Sequence, residues 1–448
     1  MLNFTKKMFN LPHEFTDRKI SPWGGIKFFQ QVYTTSGIRD YLNRLPLPQP
    51  GSNRGYKAID LIEGFLVSVI LGSKRLEHSG MLRTDEVVRK IFNWEKGMAS
   101  ASTFSRFFCR FNIKRNNEIF PALMRQILSS IQIKRMTVDV DSTVITRYGH
   151  QQGAAKGYNP KKRGLRSHHP IMAFCDELKM VINAWMRPGN SADKTSAIEF
   201  LHELFEIVPP EQIGLLRGDE GFYSHSIMDL LEGKNIDYIF RAKQTSTLMQ
   251  EILSVSDWYS NENVSKQAAY SEIQHTTEKW KKKSRRIILV RTPKEQNSFM
   301  SRELFQDYAQ IHQYEYSAFV TNSNLSAVEV HRRYNQRGDS ENRIKELKYD
   351  YGIDGFALKS FPAMEAAFRF IMVAFNIMTI FKQAIMLSPR NHRLSTIKFQ
   401  CIAIGSYLVT SARKIKMKLA ASGRRRHFLE HLFENLEIIR PPYRLANA

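Results

Sequence analysis

From Lys57 to about Ile131, apolar residues recur every three or four positions with few glycines between them, a pattern that predicts a helical region. Its first strong segment, AIDLIEGFLVSVIL from Ala58 to Leu71, carries Asp60 and Glu63 near its start, where acids suit the positive end of a helix dipole. ASASTFSRFFCRF, from Ala99 to Phe111, predicts a second helix with Ser102 or Thr103 as its cap and Arg106 and Arg110 on one face. An ordinary capped amphipathic helix and a DNA-touching helix-turn-helix both fit that segment.

At Arg135 the period changes. RMTVDVDSTVI is rich in β-branched residues and alternates polar with apolar, which predicts a strand; so do HPIMAFCDE from His169 to Glu177 and MVINAWMRPG from Met180 to Gly189. SADKTSAIEFLHELFEIV reads as a helix capped by Ser191, followed by strand IGLLRGDEGF, helix SHSIMDLLEGKN and strand IDYIFRAK. Three adjacent strands followed by alternating helix and strand predict an α/β core. Between about Gln244 and Gln313 the pattern is irregular and rich in Lys, Gln and Ser, apart from strand-like IILVRT at Ile287 to Thr292. YEYSAFVTN, from Tyr314 to Asn322, is another strand, and a long helix containing YNQRGDSENRIKELK follows. The irregular stretch therefore reads as an insertion ahead of the last core helix. FRFIMVAFNIMTIF, from Phe368 to Phe381, carries Arg369 and Asn376 and is too short to span a bilayer, so a buried core helix and no membrane contact are expected.

The chain has 448 residues, 42% of them apolar, enough for a sizeable core and a prior of two or three domains. Its 66 Lys and Arg against 43 Asp and Glu give a formal charge of +23, which predicts a polyanionic partner. SARKIKMKLAASGRRRHF, from Ser411 to Phe428, concentrates that charge; its Arg424, Arg425 and Arg426 suit DNA, a partner subunit or a flexible tail. Cys109, Cys175 and Cys401 make neither a zinc spacing nor a disulfide framework, and MLNFTKKMFNLPHEF holds no sustained apolar stretch. A reduced, cytoplasmic setting is the expectation.

Candidate chemistry gathers on a few acids. Asp141 lies inside an otherwise apolar strand, and Asp139 shares its face because strand side chains alternate. A carboxylate in a core strand is costly unless it is paired or bound to a cation. Asp219 ends the apolar run IGLL at a strand exit, where open α/β sheets keep functional groups. Glu341 lies in YNQRGDSENRIKELK, whose helical period places Tyr334, Arg337, Glu341 and Lys348 on one stripe. Hard divalent cations take oxygen ligands, and carboxylates from two strands and a helix would suit a two-ion site for phosphoryl transfer. Ordinary salt bridges from Arg337 and Lys348 to Glu341 and Glu346 would explain the stripe too. Lys161, Lys162, Arg163 and Arg166 follow the first acid closely and suit a phosphate track or a solvated loop in equal measure. His168 and His169 make no metal site with a cysteine.

Tyr334, Arg337, Glu341 and Lys348 match a Y-(2)-R-(3)-E-(6)-K signature, and on it the chain resembles the DDE insertion-sequence transposases of the group-four superfamily, its thirteen-eighty branch most of all. DVDSTVITRYGHQQG and RGDEGFYS resemble, in the same order, the segments that carry the first and second catalytic aspartates of that family. The likeness covers roughly Arg135 to Ile380. It implies an RNase H-like catalytic core at 134–243 and 326–390, interrupted by a β-rich insertion at 244–325. A helical region at 1–133 would bind DNA ends, and a helical basic region at 391–448 would contact DNA or a second subunit. The resemblance also implies that Asp141, Asp219 and Glu341 hold two Mg2+ ions, or Mn2+ in their place, with Asp139 a competitor for the first position. Tyr334, Arg337 and Lys348 would contact the DNA backbone, and Trp258 and Trp280 of the insertion become candidates for stacking on a flipped base. The implied activity is cleavage at terminal inverted repeats, freeing a 3′-hydroxyl that attacks target DNA, carried out by a homodimer. A transposase-derived DNA-binding regulator without catalysis, or a metal-dependent nuclease without strand transfer, would share parts of this pattern.

Overall fold

The computed structural model describes residues 13–445 apart from 53, 193–195, 262–264, 281–282, 295–312, 389–391 and 413. The apolar periodicity of the first third becomes helices that include α1 (Ala58–Ile70), α2 (Ala101–Phe108) and α3 (Ile113–Ser129). Asp60 stands in the first turn of α1 as expected, whereas Glu63 is buried, ion-paired with Arg39 and bonded by the Trp94 indole N–H. The cap of α2 is Ser100 rather than Ser102 or Thr103. Its hydroxyl accepts from the Thr103 backbone N–H, which places Ser102 and Thr103 inside the first turn, past any capping position.

The α/β core follows the predicted order: β1 (Met136–Ser142), β2 (Ile171–Cys175), β3 (Met180–Trp185), α4 (Ala197–Ile207), β4 (Ile213–Gly218), α5 (His225–Gly233) and β5 (Asp237–Arg241). Ser191 does not cap α4. Its N–H instead closes a turn onto the Pro188 carbonyl after β3, and Ser196 precedes the helix. The stretch read as irregular holds β6 (Tyr259–Asn261), β7 (Ser265–Thr276) and β8 (Ser284–Pro293), with β9 (Tyr314–Thr321) after it; residues 295–312 of the expected insertion lie outside the described residues.

These four strands do not form a layer of their own. Among the described residues they extend one nine-stranded sheet, in the order β6-β7-β8-β9-β5-β4-β1-β2-β3. Within it β1, β4 and β5 run parallel, flanked by antiparallel β2 and β9. The predicted long helix is two helices, α6 (Ala327–Asn335) and α7 (Gly338–Tyr349), with Gln336 and Arg337 in the turn between them. Val330 of α6 covers Tyr270, Ile288 and Phe319 of the extended sheet.

α8 (Phe361–Ile380) is packed between β3 and the helices α1 and α3. With its continuation to Ile385 it is long and apolar enough to cross a bilayer by composition, yet its apolar window is wholly inside the protein, as expected for a core helix. Two of its polar residues find partners there: Arg369 pairs with Glu203, and the Asn376 amide exchanges two hydrogen bonds with the backbone of Val181 in β3. Asn116 of α3 donates to Glu365 of α8 at 3.1 Å, and one continuous apolar core joins the N-terminal helices to the sheet. The C-terminal region is not wholly helical. A hairpin, β10 (Ser406–Ser411) and β11 (Lys414–Leu419), joins the short strand Ile20–Ser21 before α9 (Gly423–Ile438). KIKMKL alternates lysine with apolar residues, which is the period of a strand.

Candidate active site

Parallel pairing levels the first two acids. Val140 of β1 lies opposite Gly218 of β4, and Gly218 opposite Phe240 of β5. One residue further along each strand, Asp141, Asp219 and Arg241 stand side by side at the carboxyl edge of the sheet, where open α/β sheets place their ligands. Asp141 is 7% exposed; its Oδ1 accepts from the Ser142 N–H at 2.8 Å and lies 3.0 Å from Arg337 Nη2. Asp219 caps the short turn Glu220–Phe222, its Oδ1 accepting from the Gly221 N–H at 2.9 Å. The break between α6 and α7 supplies the opposite wall. Tyr334, Asn335, Arg337, Gly338 and Glu341 line a cleft of about 460 Å³ together with Asp219, Glu220 and Arg241.

Charge in this cleft is only partly compensated. Burial pushes the Asp141 carboxyl up to about 6; Arg337 pulls it down, while the neighbouring charges of Asp219 and Glu341 push it up. Arg337 is itself buried, and its Nε and Nη2 make no hydrogen bond, Nη2 meeting Asp141 as an ion pair alone. The Tyr334 ring is held against Phe319 with centroids 4.6 Å apart, and burial raises its phenol above the ordinary value. Lys348 donates to the Val144 carbonyl at 3.1 Å just past β1; burial lowers its ammonium pKa, and the charge of Lys161 lowers it further. Lys161 is exposed on the basic loop. Lys162, Arg163 and Arg166 are exposed along the same loop, with Lys162 on the Tyr148 hydroxyl and Arg166 on His150. The helix salt bridge considered for Lys348 is not the one formed: Glu346 is buried and pairs with Lys382 at 3.5 Å.

Asp139 faces the same side of β1 but is occupied. Both its oxygens grip Arg217 of β4, at 2.6 and 2.8 Å, and Arg217 also reaches Asp176 at 2.9 Å and the Arg333 carbonyl. Burial pushes the Asp139 carboxyl up, and Arg217 pulls it back down. The two tryptophans are likewise engaged. Trp280, 4% exposed, packs against Tyr223 and His275 with the Arg285 guanidinium 5.2 Å from its ring. Trp258 is half-buried beneath the Arg291 guanidinium at 4.5 Å, and its indole N–H donates to the Val255 carbonyl. Arg241 belongs to no motif in the sequence and ends a strand there. The available signal was a cation leaving a strand parallel and next to the one that delivers Asp219.

In kind, these donors suit a hard divalent cation: three carboxylates with no nitrogen or sulfur ligand, whose mutual repulsion at Asp141 a cation would relieve. In spacing they are looser. Among the described residues no three His, Cys, Asp or Glu converge closely enough to hold an ion, and the Arg337 guanidinium is what faces Asp141.

Among solved structures, the cryo-EM structure of the piggyBac transposase synaptic complex with hairpin DNA is similar at 11% identity and a TM-score of 0.42, over 94% of this chain and 82% of that one. No curated protein sequence matches the chain. The profile of the family described as Transposase DDE domain, group 1, matches residues 5–441, a span that takes in Asp141, Asp219, Glu341 and both halves of the cleft. By that match the chain belongs to the DDE transposase domain family.

Proposed function

We propose that the chain is a cut-and-paste DNA transposase that binds the terminal inverted repeats of its own insertion sequence, cleaves the ends and joins the freed 3′-hydroxyl to target DNA, working as a homodimer. The observation that carries this reading is that parallel pairing brings the strand ends bearing Asp141 and Asp219 level, while the broken helix sets Arg337 on Asp141 and lines one cleft with Asp219, Arg337 and Glu341. The order β3-β2-β1-β4-β5, with β1 central and β2 antiparallel to it, supports an RNase H-like core. The Y-R-E-K spacing supports the group-four superfamily and its thirteen-eighty-like branch.

Asp141, Asp219 and Glu341 are the residues that would hold Mg2+ or Mn2+. Bound there, a pair of such ions supplies activation of the attacking oxygen and stabilisation of the leaving one. The assignment of Asp141 rather than Asp139 is supported by the closed pairing of Asp139 with Arg217. Arg337 offers a phosphate two donors in a fixed fork, and Lys348, held on the Val144 carbonyl just past β1, offers a point charge. Tyr334, locked on Phe319, orients the backbone from the cleft wall. Lys161, Lys162, Arg163 and Arg166 continue the positive track along the duplex.

The loose spacing of the acids favours one second reading, a transposase-derived DNA-binding regulator without catalysis. A plasmid carrying the element's terminal repeats, incubated with the protein in magnesium or manganese, separates the two. End-specific cuts and joined products, both lost in Asp219→Asn and Glu341→Gln variants that still bind DNA, are the expected result. Equal binding by all three proteins with no cutting in either metal would overturn the transposase and leave the regulator.

A further inference from the structure

The C-terminal hairpin pairs β10 and β11 without a break in register, Tyr407 opposite Lys418, Val409 opposite Lys416 and Ser411 opposite Lys414. Because side chains alternate, those three pairs share one face of the ribbon, while Ile415, Met417 and Leu419 take the other. Lys414, Lys416 and Lys418 are all exposed. Arg18 lies over the Tyr407 ring at 5.2 Å and lengthens the same row to four cations. Neither strand contains an Asp or Glu, and no ion pair engages these four side chains among the described residues.

The neighbouring Arg424–Arg426 run, the more conspicuous feature of the sequence, is largely used by the protein itself. Arg425 donates to the Phe399 and Ala403 carbonyls, and Arg426 pairs with Glu430 at 2.8 Å. The unneutralised charge is on the strand. Lysines also guard edge strands against pairing with other chains, and β11 is the edge of its sheet. Edge protection, however, explains neither the gathering of all three lysines on the outward face nor the fourth cation across the ribbon.

We infer that the outward face of β10 and β11 is a contact surface for the phosphate backbone of duplex DNA, with Lys414, Lys416, Lys418 and Arg18 as its cations. At about 3.3 Å per residue the three lysines span ~13 Å, a length over which one DNA strand presents about four phosphates. Lysines opposite Tyr, Val and Ser provide no bidentate fork for base edges, so the contact is independent of sequence. Its biological use rests on the transposase reading; its test does not.

The test is the salt dependence of binding to a short labelled duplex of random sequence, measured by fluorescence anisotropy on the full chain. Replacing three phosphate contacts in a Lys414→Gln, Lys416→Gln, Lys418→Gln variant lowers the slope of log K against log salt by about 2.7, so between 50 and 200 mM salt the variant loses about 40-fold less affinity than the unaltered protein. Lys414→Glu, Lys416→Glu, Lys418→Glu keeps the edge charged, so it decides the matter where the Gln variant self-associates; its slope falls at least as far. A fall smaller than about 1 in the Glu variant, or no binding of the random duplex by the unaltered protein, overturns the inference. Failure to cut terminal repeats would instead sink the transposase reading and leave this surface standing.

Discussion

Asp139 and Asp141 stand two residues apart on one face of β1, and each meets an arginine. Asp139 has both oxygens bonded by Arg217, whose remaining donors end on Asp176 and a carbonyl. Asp141 has one ion-pair contact with Arg337, whose buried Nε and Nη2 are without hydrogen bonds, and it feels two further carboxylates across the cleft. Burial is the same in both cases; closure is not. A carboxylate whose neighbours satisfy it completely locks strands together, whereas one left partly satisfied beside an open cleft is poised for a ligand.

The largest effect that this contrast predicts lies with the closed pair. Arg217→Ala strands Asp139 as a buried, uncompensated charge and should destabilise the protein by about 3–5 kcal/mol in urea unfolding. A loss near zero would mean that Asp139 is as poised as Asp141, and the distinction would collapse. The next effect has the opposite sign. Asp141 has a folded pKa of about 6 against an ordinary 3.8, so the folded state holds its proton more tightly than the unfolded chain and stability falls as pH rises through that window. Asp141→Asn removes the penalty. The variant should therefore be more stable than the unaltered protein by up to about 3 kcal/mol above pH 6, and by about half of that at pH 5. A variant less stable at pH 7.5 would show that Asp141 is a structural ion-pair partner.

Much of this arrangement could be read from the chain, for reasons that are themselves physical. The order of strands and helices in the core follows from hydrophobic period, and the exit of β4 at Asp219 follows from an apolar run ending before glycine. β7 was not legible: SKQAAYSEIQHT carries few apolar residues, and its Tyr270 is buried by a helix that lies sixty residues further along the chain. Nor was the break at Gln336 and Arg337 visible, since both residues suit a helix and the stripe of Tyr334, Arg337, Glu341 and Lys348 survives the turn. The parting of Asp139 from Asp141 depends on Arg217, which comes level with Asp139 only through parallel pairing of strands 78 positions apart. Long-range registry of that kind leaves no local pattern.

The smallest predicted effect sharpens the comparison from the arginine side. Arg241 leaves β5 level with Asp219 and lines the cleft, exposed, with no hydrogen bond or ion pair to its side chain among the described residues. It is thus the reverse of Arg217, one strand away, whose donors all end on the protein. Exposure means that Arg241→Gln should leave the unfolding midpoint unchanged, because no buried partner is stranded. If the side chain meets one phosphate, the substitution should lower the salt slope of duplex binding by about 0.9, roughly a 3.5-fold difference in the affinity lost between 50 and 200 mM salt. The measurement belongs beside Arg217→Ala, with both proteins compared by unfolding and by binding. A midpoint that drops with Arg241→Gln, or a slope that does not move, would place Arg241 with the arginines that hold the sheet rather than with those that face the cleft.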